Sequence, residues 1–469
     1  MRSAKEEFRQ IFPRAGWVEH DPIAIWSTQV RTAKHACEKY SSKIAGIGVT
    51  NQRETTVVWD RHTGKPIHNA IVWQDRRTAS IIDGLLSRGY GSYIQRTTGL
   101  IPDAYFSGPK IKWLLDNVPK ARKKARKGDL LFGTVDTFLI WKLTRGRVHA
   151  TDYSNASRTL IFNINRGSWD RRLLDILDIP PDMLPEVKPS SGILGYTTKT
   201  LLGREIPICG VAGDQQAALF GQAGFEKGAT KNTYGTGCFI LLNAGDHPPV
   251  ARSGLISTIG WSLNKRITYA VEGSVFIGGA VIQWLRDQLG LVKKASDTEL
   301  IGRETPDSGG VFFVPALTGI GAPYWDMYAR GLMIGITRDT TRNQIVRAAL
   351  ESICLQTVDV LEAMTKTTKN RIRSLRVDGG ASVNNFLMQL QADLSGVPVE
   401  RSAIPETTAL GAAFLAGLAV DVWESLDDLK KLRRVDRVFR PAMSARARAE
   451  IRAGWRRAVQ RALNWARPN

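Results

Sequence analysis

Residues 206–220 read IPICGVAGDQQAALF: the apolar residues up to Val211 predict a buried strand, Gly213 closes it, and Ala217, Ala218, Leu219 and Phe220 continue at helical spacing. Gly213, Asp214, Gln215 and Gln216 therefore fall where a strand hands over to a helix, and in an open α/β sheet that rim is where ligands sit. One carboxylate and two amides there either cap the helix through its backbone N–H groups or face a bound molecule.

Outward from this stretch, strand-like runs alternate with helical patterns, which predicts an α/β fold. Ile44–Thr50 and Thr55–Asp60 read as strands, and a turn from Asp60 to Gly64 leads into a third, Ile67–Trp73. Arg77–Leu86 and Gly108–Asn117 read as helices, the latter burying Trp113, Leu114 and Leu115. Lys231–Leu242 predicts two strands about a Gly-Thr-Gly turn, Ile267–Val271 another strand and Gly273–Leu289 a helix. A later strand, Leu375–Val377, meets Asp378, Gly379 and Gly380, with a helix opening near Asn384. The 469 residues exceed what one hydrophobic core serves, so two domains are expected. Motif placement divides them at 1–222 and 223–469, with a cleft between.

With 43% hydrophobic and 23% charged residues the composition is that of a globular protein, and no apolar run approaches the ~18 residues of a membrane helix. Nothing at the N-terminus reads as a signal peptide. Cys37, Cys209, Cys238 and Cys354 lack paired spacing, so neither a disulfide framework nor a zinc site is indicated, and a reducing cytoplasm is expected. The net charge of +21 concentrates in Lys120–Lys127 and in the tail Lys430–Arg467. The first reads as a solvated helix end. In the second, Ile451, Trp455, Val459 and Leu463 recur every four residues while Arg448, Arg452 and Arg456 fall off that stripe, as in an amphipathic packing helix. No zinc finger, aromatic RNA-binding signature or helix-turn-helix pattern accompanies the charge, so neither nucleic acid nor stable membrane insertion is expected.

Three glycine-bearing turns suit phosphate or nucleotide. In Tyr234–Cys238 the glycines admit an anion to backbone N–H groups and Thr236 adds a hydroxyl, although Gly-Thr-Gly is also an ordinary hairpin turn. Asp378–Gly380 sits between strand and helix, where a helix N-terminus favours negative charge. Gly278, Gly279 and Ala280 open a helix carrying Gln283, or simply allow close packing. Polar groups for a substrate cluster elsewhere. Arg53 and Glu54 follow a strand end, Trp73 closes another strand, and Tyr105 stands in a loop. Each has a plainer reading as an ion pair or packing residue. None of the six histidines sits at metal-ligand spacing, and no nucleophile elbow is paired with a triad.

Taken in order, the runs Gly48–Thr56, Asn69–Thr78, Leu131–Leu143, Val148–Leu160, Gly213–Gly221, Asn232–Phe239, Gly319–Gly331 and Arg376–Leu387 resemble the glycerol kinases, of the FGGY type of carbohydrate kinases. The resemblance runs from about Glu7 to the final helix. It implies a two-domain actin-like fold, shared with ribonuclease H and the hsp70 ATPase, with an interdomain cleft. It further implies ATP-dependent phosphorylation of glycerol to sn-glycerol 3-phosphate, with Mg2+, in the cytoplasm, by a homo-oligomer (dimer or tetramer). Arg53, Glu54, Tyr105, Asp214 and Gln215 match the family's glycerol-binding positions, with Trp73 and Phe239 as an apolar wall. Thr236, Gly279, Gln283, Gly380 and Asn384 match its ATP-binding positions. Asp214 matches the catalytic base and is the expected contact to the metal. The alternatives are another polyol or sugar kinase of the same type, or an inactive binding protein.

The family also begins with a strand, an Asp-x-Gly-Thr-Thr turn that holds Mg2+ and phosphate, and a second strand. No such segment stands before Glu7. The first domain is therefore expected to lack its first two strands, with Met1–Lys5 inside a strand. Either the recorded start is internal to a longer kinase, which is the preferred reading, or this is a genuine short form. In Lys199–Pro207 only Gly203 and Arg204 match the loop that binds fructose 1,6-bisphosphate in some members, so feedback by that sugar is not implied.

Overall fold

The computed structural model describes residues 3–38, 40–250 and 253–467. Its centre is a ten-stranded mixed sheet, in the order Val435–Phe439, Val399–Ser402, Leu375–Asp378, Thr230–Tyr234, Cys238–Gly245, Arg266–Val275, Ile256–Leu263, Ser191–Tyr196, Pro207–Gly213 and Ile47–Asn51. The middle of this sheet is continuous through a single residue pair, Ser191 with Leu263.

Two registers position everything that follows. Pro207–Gly213 runs parallel to Ile47–Asn51 with Gly213 opposite Asn51, so both strands end at the same level and release Arg53, Glu54 and Asp214 side by side. Thr230–Tyr234 runs parallel to Leu375–Asp378 with Thr233 opposite Asp378, so the Tyr234–Cys238 hairpin turn and the Asp378–Gly380 turn emerge together.

The helix Asp214–Gly221 packs on Thr407–Ala419 with almost no side chain between them: a Cβ on Gly221 would collide with the Thr407 carbonyl, and one on Gly411 with that of Ala217. Glycine there is a requirement of close backbone approach. A second helix, Arg342–Thr368, starts at a Thr341/Gln344 capping box and is buried continuously from Val346 to Leu361. The charged side chains of that stretch have partners: Arg347 pairs with Glu351, and Asp359 accepts from the Tyr324 hydroxyl at 3.0 Å. The tail packs as its periodicity predicts: in Ala445–Ala462, Trp455 and Val459 are buried, Trp455 Nε1 donates to Asp359 Oδ2 at 2.7 Å, and Arg452 and Arg456 pair with Glu362.

Four local expectations are corrected. Residues 273–275 are strand, because Val275 pairs with Cys238 and Ser274 with Phe239, and the helix there is only Ala280–Asp287; sheet pairing overrides the helical spacing. Of Ile67–Trp73 only Ala70–Ile71 pairs as strand, against Glu19–His20. Trp113 is half-buried and not core, its indole packed edge-on against Trp17. Ser3–Lys5 adopt no strand, while Met1 and Arg2 lie outside the described residues. Among the described residues no helix is long and apolar enough to cross a membrane.

Candidate active site

At the shared strand ends, Asp214 is the first residue of its helix rather than its cap, which is Gly213. Its Oδ1 accepts from the Gln215 backbone N–H at 2.8 Å and lies 3.0 Å from Arg53 Nε, and a third of the side chain is open to solvent. Gly213 is needed beside it, because a Cβ there would run into the Arg53 stem. Glu54 holds a left-handed backbone (φ 61°), uncommon for a non-glycine residue and held by the Thr56 and Ser107 hydroxyls donating to its carbonyl at 3.0 and 3.1 Å. Lys110, wholly buried, donates to the Tyr105 carbonyl at 2.6 Å, and burial lowers its pKa to about 7. Trp73 sits edge-on to both Tyr105 (5.6 Å) and Phe239 (6.1 Å), so three rings flank the carboxylates.

Behind these groups lies a buried charge network. Arg53 donates to Glu272 from Nη1 at 2.5 Å and Nη2 at 3.2 Å, and to Gln216 Oε1 at 3.3 Å. Arg158 joins Glu54 through Nε at 2.5 Å and Glu272 through Nη2 at 3.0 Å. Arg53, Glu54, Arg158 and Glu272 are each 2% exposed or less. Burial pushes the Glu272 carboxyl up, but Arg158 and Arg53 outweigh it and hold its pKa at about 2, so it stays ionised. Lys231 bonds Gln215 Oε1 and, at 2.8 Å, Thr233 Oγ1, and burial lowers its pKa to about 8.

Thr236, Gly279, Gln283, Gly380 and Asn384, spread over about 150 residues of sequence, line one cavity of about 370 Å³. The two turns that emerge together form it. Gly379 (φ 88°) is pressed onto Tyr234, where a Cβ would collide with the backbone. The Gly278 and Ala280 N–H groups donate to the Thr236 carbonyl at 2.8 and 3.1 Å, stitching the helix start to the hairpin turn. Gly380 does not open the next helix directly. A 3-10 turn, Gly380–Val383, intervenes, and Asn384 caps the helix Asn385–Ser395. A larger recess of about 540 Å³ lined by Lys227, His247 and Lys366 contains none of these residues.

All seven residues expected around a substrate thus gather at the strand ends, and all five expected around a nucleotide line the cavity. Phe239 and Thr236 belong to the same hairpin, which places the two groups next to each other. Sequence reasoning passed over Glu272, Arg158, Lys231 and Lys110. The available signal was a lone carboxylate in the apolar strand Tyr269–Val275 and a lone arginine before Thr159, Leu160 and Ile161.

Residues 1–221 match the FGGY family of carbohydrate kinases, N-terminal domain, and residues 230–420 the C-terminal domain of that family. The chain belongs to the FGGY family of carbohydrate kinases, and its two-domain α/β fold is theirs. Within that family its end-to-end likeness is to glycerol kinases: it is 60% identical to glycerol kinase 2 of Thermotoga maritima over 98% of this chain and 93% of that protein. The crystal structure of Plasmodium falciparum glycerol kinase with ADP is similar at TM-score 0.91 and 38% identity, over 97% of this chain and 92% of that one. A ligand-bound xylulose kinase from Lactobacillus acidophilus shares the fold at TM-score 0.87 and 24% identity, over 97% and 91%.

Proposed function

We propose that this chain is an ATP:glycerol 3-phosphotransferase. The observation that carries the reading is the company of Asp214: a part-exposed carboxylate beside Arg53 and Glu54, walled by three aromatic rings, in a chain 60% identical to a glycerol kinase. A three-carbon triol offers hydroxyls to the charged side of such a pocket and C–H faces to its rings.

In this reading Arg53, Glu54 and Gln215 bind the hydroxyls, and Trp73, Tyr105 and Phe239 set the length of the pocket. Asp214 orients the attacking hydroxyl and accepts its proton as the phosphoryl group transfers. ATP occupies the 370 Å³ cavity, its base and ribose against Gly380, Asn384 and Gln283 and its phosphates toward the Thr236 turn and Gly279. A single part-exposed carboxylate, with no cluster of three or more His, Cys, Asp or Glu among the described residues, fits Mg2+ carried in with the ATP phosphates. When bound, that ion supplies charge neutralisation on the phosphates. Closure of the two matched domains would exclude water from the transfer. The unpaired cysteines among the described residues suit a reducing cytoplasm.

The test is Mg2+-ATP-dependent phosphate transfer by the purified chain to glycerol, dihydroxyacetone, xylulose and gluconate. Glycerol should give the highest kcat/KM. Preference for a five-carbon sugar or for gluconate would assign another kinase of the same fold, and binding without turnover an inactive relative.

A further inference from the structure

We propose that Glu272 is the positioning residue that sets the orientation of the polyol-binding pair Arg53 and Glu54; the inference rests on the reading of that pair as substrate ligands. Glu272 stands in the middle of the strand Arg266–Val275, opposite Leu241 and Ile256, where an apolar side chain would complete the core. A wholly buried carboxylate there is expensive, and buried ion pairs replaced by well-packed apolar residues are often no less stable. Stability alone gives no reason for it.

Its contacts do. Oε2 takes Arg53 Nη1 at 2.5 Å, while Oε1 collects Arg53 Nη2 at 3.2 Å, Arg158 Nη2 at 3.0 Å and Ser274 Oγ at 3.2 Å. Arg158 then passes the constraint on, donating from Nε to Glu54 Oε1 at 2.5 Å. One carboxylate from the segment matched as the C-terminal domain therefore orients two side chains from the N-terminal one, directly and through Arg158. The two-pronged contact leaves Arg53 only Nε for Asp214, at 3.0 Å. Without Glu272, the guanidinium keeps Asp214 as its nearest carboxylate, Glu54 being 3.9 Å away, and swings onto the catalytic base. Substrate binding and proton acceptance both suffer, whereas the nucleotide cavity includes none of these groups.

The experiment compares wild type, Glu272→Gln and the charge-balanced Glu272→Gln/Arg158→Gln by steady-state kinetics and thermal unfolding. Glu272→Gln should raise KM for glycerol at least ~10-fold and lower kcat several-fold, with KM for ATP within about twofold of wild type. The double variant should regain part of the lost Tm, since it buries no unmatched charge, yet keep the raised KM for glycerol. A KM for glycerol within about twofold of wild type in Glu272→Gln, or one that returns to wild type along with Tm in the double variant, overturns the proposal. Should Glu272→Gln not fold, the double variant alone decides. A wild-type chain that turns over no polyol overturns the site reading itself, an outcome separate from any variant-to-wild-type ratio.

Discussion

Arg53 Nε lies 3.0 Å from Asp214 Oδ1, across the ends of two parallel strands that leave the sheet at the same level. The pair joins a side chain sealed from solvent to one that is a third exposed, so the arginine is held in place while the carboxylate stays open to solvent. Rigid support of a reactive group by a buried partner keeps reorganisation during the reaction small.

Asp214→Asn keeps the shape of the side chain but not its charge, so the fold should survive. Loss of a positioned acid/base group should lower kcat by ~10² or more with glycerol as substrate. Circular dichroism and a glycerol 3-phosphate assay check both halves; near wild-type kcat would remove Asp214 from the chemistry.

Trp73 sits edge-on to both Tyr105 and Phe239, so ring against ring would set the length of the proposed polyol pocket. Phe239→Ala should lower kcat/KM for glycerol ~10-fold or more through lost contact, while turnover of four- and five-carbon polyols rises relative to glycerol. The ratio of kcat/KM values across a polyol series is the measurement.

Gly380 and Gly279 both line the cavity proposed to hold the nucleotide yet should respond differently. A Cβ at Gly380 meets nothing within 4 Å, so Gly380→Val should leave Tm nearly unchanged and raise KM for ATP ~10-fold or more by filling space the nucleotide needs. A Cβ at Gly279 would stand 2.8 Å from the Gly235 carbonyl oxygen, so Gly279→Ala should disturb the turn and lower Tm as well. Melting curves with and without ATP separate the two.

His149 Nε2 donates to the Phe132 carbonyl at 2.8 Å, and burial lowers the imidazole's pKa from 6.5 to about 4. The unfolded chain therefore binds this proton more readily, so the stabilisation is complete above pH 6.5 and is lost as pH falls toward 4. Asp136 and Asp359, with pKa values raised by burial to about 6, work in the opposite direction over part of that range. The contribution should therefore appear as a difference: His149→Gln should show a shallower acid loss of unfolding free energy than wild type between pH 6.5 and 4 in urea titrations.

From the order of residues alone came the alternation of strands and helices, the rim position of Asp214, and both sets of candidate site residues, because each is announced locally by a glycine turn, a strand end or a run of family-like sequence. Periodicity misread residues 273–275 because the decision there belongs to Cys238 and Phe239, about 35 residues upstream, whose backbone groups claim the strand. Only the tertiary structure decided which charges meet. Arg53, Arg158 and Glu272 are separated by more than a hundred residues each, and a lone charge in an apolar run carries no mark of its partner. Burial makes those meetings obligatory, since an ionised group taken out of water must find its counter-charge within hydrogen-bonding reach or the fold loses several kcal/mol.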